Sequence, residues 1–140
     1  MESTESRFQK LLFLLVIAVS VSWLAIPDSI RYNINEVDVS SGKKLIDEGA
    51  VLIDVRPTKS FNEQHIAGAV SIPLEVLKIA IPHTLEYAKN KRILVYCGDG
   101  STLGPKGTQA LNEAGYSGAV NMKGGLGGWK DAGYSVSGAS

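Results

Sequence analysis

Cys97 is the single cysteine of the 140-residue chain. It closes the short apolar run Leu94-Val95-Tyr96 and is followed at once by Gly98-Asp99-Gly100-Ser101-Thr102, then by a second glycine-rich stretch, Leu103-Gly104-Pro105-Lys106-Gly107. A thiol at that junction has two readings. Cysteine is among the residues most often buried, so a lone one at the end of an apolar strand can be simple packing. The residues after it favour chemistry. Glycines and hydroxyls between a strand end and a helix start give a flexible backbone whose successive N–H groups can face one atom. Such amides, with the positive end of the helix behind them, would favour a thiolate and hold an anion beside it. The candidate nucleophile is therefore Cys97, and the candidate binding residues are Gly98, Asp99, Gly100, Ser101 and Thr102. The stretch is not a nucleotide phosphate loop, because the Gly-Lys-Ser/Thr ending is missing. One cysteine and two histidines cannot assemble a Cys/His metal cluster, and a lone cysteine makes no intramolecular disulfide.

The elements that must carry this loop alternate along the chain. Val51–Val55, Val70–Ile72, Arg92–Cys97 and Gly118–Met122 read as short apolar strands. Between them, helical stretches are expected from Ser40 to a stop at Gly49, over 74–81 and 83–90, and from Pro105 through a helix ended by Gly115, with a short helix and a turn over 58–69. The glycines of Lys123–Trp129 read as a loop and a short tail. Strands apolar on both faces and alternating with helices imply an α/β domain, a small open parallel sheet with helices on both faces. Sites in such sheets form beyond the carboxyl ends of the strands. Asp54 and Arg56 stand at one such end and Cys97 to Thr102 at another. Asp54 and Arg56 are expected to support the site from behind, through an ion pair tying their turn to Glu63 or a helix end.

The composition fits a globular chain, 44% hydrophobic and 20% charged. Lys+Arg and Asp+Glu are both 14, which leaves no excess of basic charge to gather nucleic acid. The expected organisation is an export or anchoring segment at 1–26, a linker at 27–38, the α/β domain at 39–134 and a tail at 135–140. Residues 11–26 carry no charge and span roughly 24 Å as a helix, a little short of the roughly 30 Å hydrocarbon core. An uncleaved anchor that touches the membrane and a signal peptide cut near Ala18-Val19-Ser20 are both open. Arg7 and Lys10 before the run, with Asp28, Glu36 and Asp38 after it, put the N-terminus in the cytoplasm and the domain on the periplasmic or extracytoplasmic side.

Three separated motifs in order resemble the rhodanese domain of single-domain sulfurtransferases over about 39–129. They are VLIDVRPTKSFNEQHIAGAVSIPL from Val51, ILVYCGDGST from Ile93, and MKGGLGGW ending at Trp129. The resemblance implies a rhodanese-like fold and a thiolate mechanism without metal or cofactor. In it Cys97 takes the outer sulfur of a small anionic donor such as thiosulfate and passes it to cyanide or a thiol. It also implies that His65 braces a turn. The sequence departs from the family late in the loop, where many members carry an arginine and this chain has Ser101 and Thr102. Asp99 would repel a dianionic donor if its carboxylate faces inward, and Lys106 on the following helix is the candidate to compensate. The related phosphatases close a seven-residue loop on an arginine, and Leu103 stands at that place. A non-catalytic rhodanese-like module that binds a partner protein is the alternative.

Overall fold

The computed structural model describes residues 3–24, 26 and 28–138, without the side chains of residues 17–24, 28 and 29. The chain runs through α1 (Thr4–Leu24), α2 (Asp28–Arg31), β1 (Glu36–Val37), α3 (Val39–Asp47), β2 (Val51–Asp54), α4 (Thr58–Glu63), β3 (His65–Ile66), β4 (Val70–Ser71), α5 (Leu74–Ile79), a 3-10 segment (His83–Ala88), β5 (Ile93–Tyr96), α6 (Leu103–Glu113), β6 (Ala119–Met122), α7 (Gly125–Asp131) and β7 (Val136–Ser137). Five strands form one parallel sheet in the order β1-β6-β5-β2-β4. This is the α/β class and the open parallel sheet expected from the alternation of elements.

Period-two alternation divides the central strands between two cores. Ile53, Val55, Ile93 and Val95 pack with Leu74 and Leu77 of α5 and Leu111 of α6. Leu52, Leu94, Tyr96, Val120 and Met122 pack on the other face with Leu126 and Trp129 of α7 and, at their margin, Leu45 and Ile46 of α3. Burial on both faces explains why these strands read as continuous apolar runs. Gly107 lets α6 lie directly on β2's extension, since a Cβ there would reach Val55 Cγ1 at 2.9 Å.

Local signals account for most boundaries. Asp38 caps α3, accepting from the Ser41 amide at 2.7 Å. Gly49 and Gly115 follow α3 and α6 at φ of +91° and +93°, conformations that favour glycine.

Several segments differ from the sequence expectation, among them Asp28–Arg31 of the expected linker, which forms α2, and His65–Ile66, which form β3. Glu36 and Val37, within the expected linker, form β1 beside β6, with Glu36 opposite Asn121. Val136 and Ser137, within the expected tail, form β7 and pair antiparallel with β3. The glycines after Met122 open a helix rather than a loop, with Gly124 at φ +84° turning the chain into α7.

Residues 4–24 are helical, and Phe8, Leu11 and residues 13–16 are each 60% exposed or more. Among the described residues no helix is long and apolar enough to cross a membrane. The anchor or export role expected for residues 11–26 is thus unsupported by the fold: the first two turns of α1 carry Glu5, Arg7, Gln9 and Lys10, and the rest of the apolar run falls largely on side chains outside the described set.

Candidate active site

Beyond the carboxyl end of β5 the chain turns through residues 97–102 and enters α6. Cys97 lines a cavity of about 410 Å³ together with Arg56, Pro57, Ser60, Gly98, Asp99, Thr102 and Leu103. The residue is only 1% exposed, so a reacting group must come down into the cavity to reach it. The expected binding residues are brought together in one turn, as a contiguous loop must be.

The backbone of this loop is held from behind. The amides of Leu126 and Gly127, in the first turn of α7, donate to the carbonyls of Cys97 at 2.8 Å and Gly98 at 2.9 Å. A trans peptide points its C=O and N–H in opposite directions. Pinning these two carbonyls toward α7 therefore turns the amides of Gly98 and Asp99 to the other side of the loop. The glycines of residues 124–128 are what allow so close an approach: a Cβ on Gly125 would collide with the Cys97 carbonyl and lie 2.8 Å from the Gly100 nitrogen.

One amide makes direct contact with the sulfur. The Gly100 N–H donates to Cys97 Sγ at 3.2 Å. Gly100 has φ +77°, and a Cβ there would sit 2.5 Å from the Met122 carbonyl, so the position admits only glycine. The Ser101 amide, expected to join it, instead donates to Asp99 Oδ1 at 2.9 Å. An aspartate side chain competes for the N–H two residues on, and here it wins. The first turn of α6 stands against the sulfur as well, because a Cβ on Gly104 would lie 3.4 Å from Sγ. The positive end of an eleven-residue helix thus faces the thiol.

Asp99 is exposed, but its carboxylate turns back toward the thiol, and its Oδ1 accepts from Cys97 Sγ at 3.7 Å. The hydrogen bond from the Ser101 amide holds its carboxyl below the usual carboxylate range, so it is charged at neutral pH. No compensation comes from Lys106. That side chain, with Gln109, Ala110 and Glu113, forms the stripe of α6 that lines a separate groove of about 680 Å³ facing Leu74, Leu77 and Lys78 of α5. The i, i+3, i+4, i+7 spacing of the stripe puts all four on one helix face, away from the thiol.

The cation at the cavity wall is Arg56, and it is already engaged. Its guanidinium forks onto Asp54, with Nη2 to Oδ2 at 2.7 Å and Nε to Oδ1 at 3.0 Å, and donates to the Gln64 carbonyl at 2.6 Å. Asp54 is fully buried. Burial works against the charge on Arg56, and the Asp54 carboxylate overrides it, leaving the guanidinium more firmly protonated than usual. The pair ties the turn after β2 to the end of α4, through Gln64 rather than Glu63. Behind it, burial first and the Asp54 charge second push the Tyr96 phenol well above its ordinary range, and its oxygen accepts from the Ile66 amide at 3.0 Å. His65 stacks on Phe61 at 3.9 Å and its Nδ1 meets the Phe61 carbonyl at 2.8 Å, a bracing arrangement away from the thiol.

Two side chains escaped the sequence reading. Asn121 of β6 reaches the loop and donates from Nδ2 to the Gly100 carbonyl at 2.8 Å, while Glu36 of β1 accepts from the same nitrogen at 2.8 Å. A polar residue inside an otherwise apolar strand was the available signal for the first. Nothing in the sequence marked the second.

A family model described as a rhodanese-like domain matches residues 38–132. An uncharacterized protein of Synechocystis, slr1261, is 36% identical over 86 residues, which cover 61% of this chain but 46% of the relative, so the match spans about half of that protein's length. The thiosulfate sulfurtransferase PspE of Escherichia coli is 37% identical over 72 residues, covering 51% of this chain and 67% of PspE. Among solved structures, the human single-domain sulfurtransferase TSTD1 superposes with a TM-score of 0.60 at 25% identity, covering 69% of this chain and 95% of that one. The family match extends from just before α3 to just past α7, taking in both the sulfur-bearing loop and the helix that pins it, and the chain belongs to the rhodanese-like domain family.

Proposed function

We propose that the protein is a sulfurtransferase that carries sulfane sulfur as a persulfide on Cys97. The observation that carries this reading is Cys97 lining a cavity beyond the end of β5, with the Gly100 amide on its sulfur at 3.2 Å. The thiolate attacks the outer sulfur of a donor such as thiosulfate. The donor S–S bond breaks, its electron pair leaves with sulfite, and Cys97 becomes a persulfide anion. A thiophilic acceptor, cyanide or a thiolate, then attacks the terminal sulfur and returns the Cys97 thiolate. The amides turned toward the cavity stabilise the anionic sulfur in both half-reactions. The experiment is intact-mass analysis after incubation with thiosulfate and, separately, with a persulfide donor. A gain of one sulfur atom that is absent from Cys97→Ser is expected; no adduct with either donor would defeat the proposal.

The Asp99 carboxylate 3.7 Å from Sγ favours a second reading, a rhodanese-like module that binds a partner without transferring sulfur. It also sets a donor preference if transfer does occur. Thiosulfate carries two negative charges into a site where Asp99 already adds one to that of the thiolate. Asp99→Asn is expected to raise kcat/KM for thiosulfate roughly tenfold at low salt, with a smaller gain for a singly charged thiosulfonate and a decline as salt rises. Because the carboxyl titrates below its ordinary range, the gain should hold from pH 8 down to about pH 5, where Asp99 is still ionised. Steady-state kinetics with both donors over that range check this, and equal gains for the two would remove the electrostatic explanation.

A further inference from the structure

Asn121 is 0% exposed, in a strand whose other members are Ala119, Val120 and Met122. A buried carboxamide is costly unless its polar atoms are paired, and here the pairing is lopsided. Nδ2 serves two acceptors, the Gly100 carbonyl and Glu36 Oε2, each at 2.8 Å. Oδ1 is buried without a hydrogen-bond partner and lies so close to Gly104 that a Cβ there would collide with it. The carboxamide therefore sits in one orientation, its nitrogen directed at the underside of the sulfur-bearing loop. An apolar residue would fill this core position without leaving an oxygen unpaired.

We infer that Asn121 is a positioning residue for Cys97, holding Gly100 by its carbonyl so that the N–H of the same residue stays on the sulfur, with Glu36 fixing the Asn121 amide from the neighbouring strand. Gly100 is gripped at both ends: its N–H meets Cys97 Sγ at 3.2 Å and its C=O meets Asn121. Its φ of +77° is one that the loop does not keep by steric preference alone, since glycine takes either sign of φ with similar ease. Glu36 and Asn121 are register partners in the β1–β6 pair, so the carboxylate reaches the carboxamide across one strand spacing. Without the Nδ2 donor, the Gly100–Ser101 peptide keeps only the Ser101 amide on Asp99 Oδ1, and Gly100 is no longer gripped at both ends, so its N–H drifts from the sulfur.

The inference rests on the sulfurtransferase reading, but its test is made on the thiol and needs no sulfur transfer. The second-order rate of Cys97 alkylation by iodoacetamide is measured from pH 5 to 9 in the full chain. Asn121→Ala is expected to slow alkylation about tenfold at pH 7 and to move the pH profile upward, because the thiolate loses its amide donor. Glu36→Ala moves it the same way by less, and Glu36→Gln, which keeps an oxygen for the Asn121 amide, recovers most of that loss. A merely structural role gives the opposite sign: loosening the fold around a thiol that is 1% exposed speeds alkylation. Faster alkylation, or an unmoved profile in Asn121→Ala, overturns the inference. Should Asn121→Ala fail to fold, Glu36→Ala at the sheet edge decides by the same criterion. A wild-type protein that accepts sulfur while these variants keep its profile refutes the positioning role alone. A wild-type protein that takes no sulfur from any donor refutes the transfer reading and leaves the alkylation result to stand by itself.

Discussion

Cys97→Ser is expected to lose sulfur transfer by at least three orders of magnitude, down to the uncatalysed background, while the domain stays folded. A hydroxyl at this position remains protonated at neutral pH and cannot carry sulfane sulfur through a persulfide, so both half-reactions fail together. Serine is close to cysteine in volume, and the Gly100 amide that meets Sγ can meet Oγ, so the packing loss is small beside the chemical one. Steady-state transfer measured beside a thermal melt separates the two effects. A variant that unfolds at ordinary temperature would show that the sulfur serves the core it adjoins, among Ile53, Val55 and Val95. A variant that still transfers would show that the sulfur travels by another route.

The largest effect on stability is expected at Arg56. The guanidinium is the fork partner of a carboxylate with no solvent exposure at all, and it also closes the end of α4 through the Gln64 carbonyl. Arg56→Ala strands Asp54 in the core, and removing one partner of a buried pair costs about 3–5 kcal/mol. For a domain near this size each kcal/mol lowers Tm by roughly 4–8 °C, so a fall of more than about 10 °C is expected. Arg56→Lys should recover only part of it, because an ammonium cannot fork onto both carboxylate oxygens and reach Gln64 as well. Differential scanning calorimetry of the two variants tests this. Melting within a few degrees of wild type would mean that water or a neighbouring donor satisfies Asp54 when the arginine is gone. Arg56 also lines the cavity above Cys97, so its loss should blunt sulfur transfer in proportion to the disorder of the turn.

Much of the site was legible because it is local. Cys97 to Thr102 are consecutive, and a strand followed by a glycine-rich turn and a helix start brings them together whatever the rest of the chain does. The strand alternation of Ile93, Val95 and Cys97 against Leu94 and Tyr96 was legible for the same reason, since period two in a pleated strand is a property of the backbone. The parallel sheet followed from strands that are apolar on both faces. The direction of the Asp99 carboxylate was not legible. It depends on whether the Ser101 amide prefers that carboxylate or the sulfur, a contest between two acceptors a few ångströms apart.

Lys106 shows where local reading misleads. It stands only nine residues after Cys97 in sequence, yet its place on the α6 stripe with Gln109, Ala110 and Glu113 turns it to the α5 groove. Short strands mislead too. Two residues such as Glu36–Val37 or Val136–Ser137 have no period to detect, and they become strands because β6 and β3 offer them a free edge.

The residues alone determined that this chain carries one nucleophilic candidate, that its loop is built of flexible backbone, and that an α/β sheet presents it. Those are consequences of side-chain type and nearest-neighbour geometry. Tertiary structure decided how the loop is held: Leu126 and Gly127 on its carbonyls, Asn121 under Gly100, and Glu36 behind Asn121. These partners lie from about twenty to sixty residues away along the chain, and only the strand order β1-β6-β5 brings them beneath one sulfur atom. A hydrogen bond is satisfied by whichever group folding delivers within about 3 Å, and sequence separation carries no information about that distance.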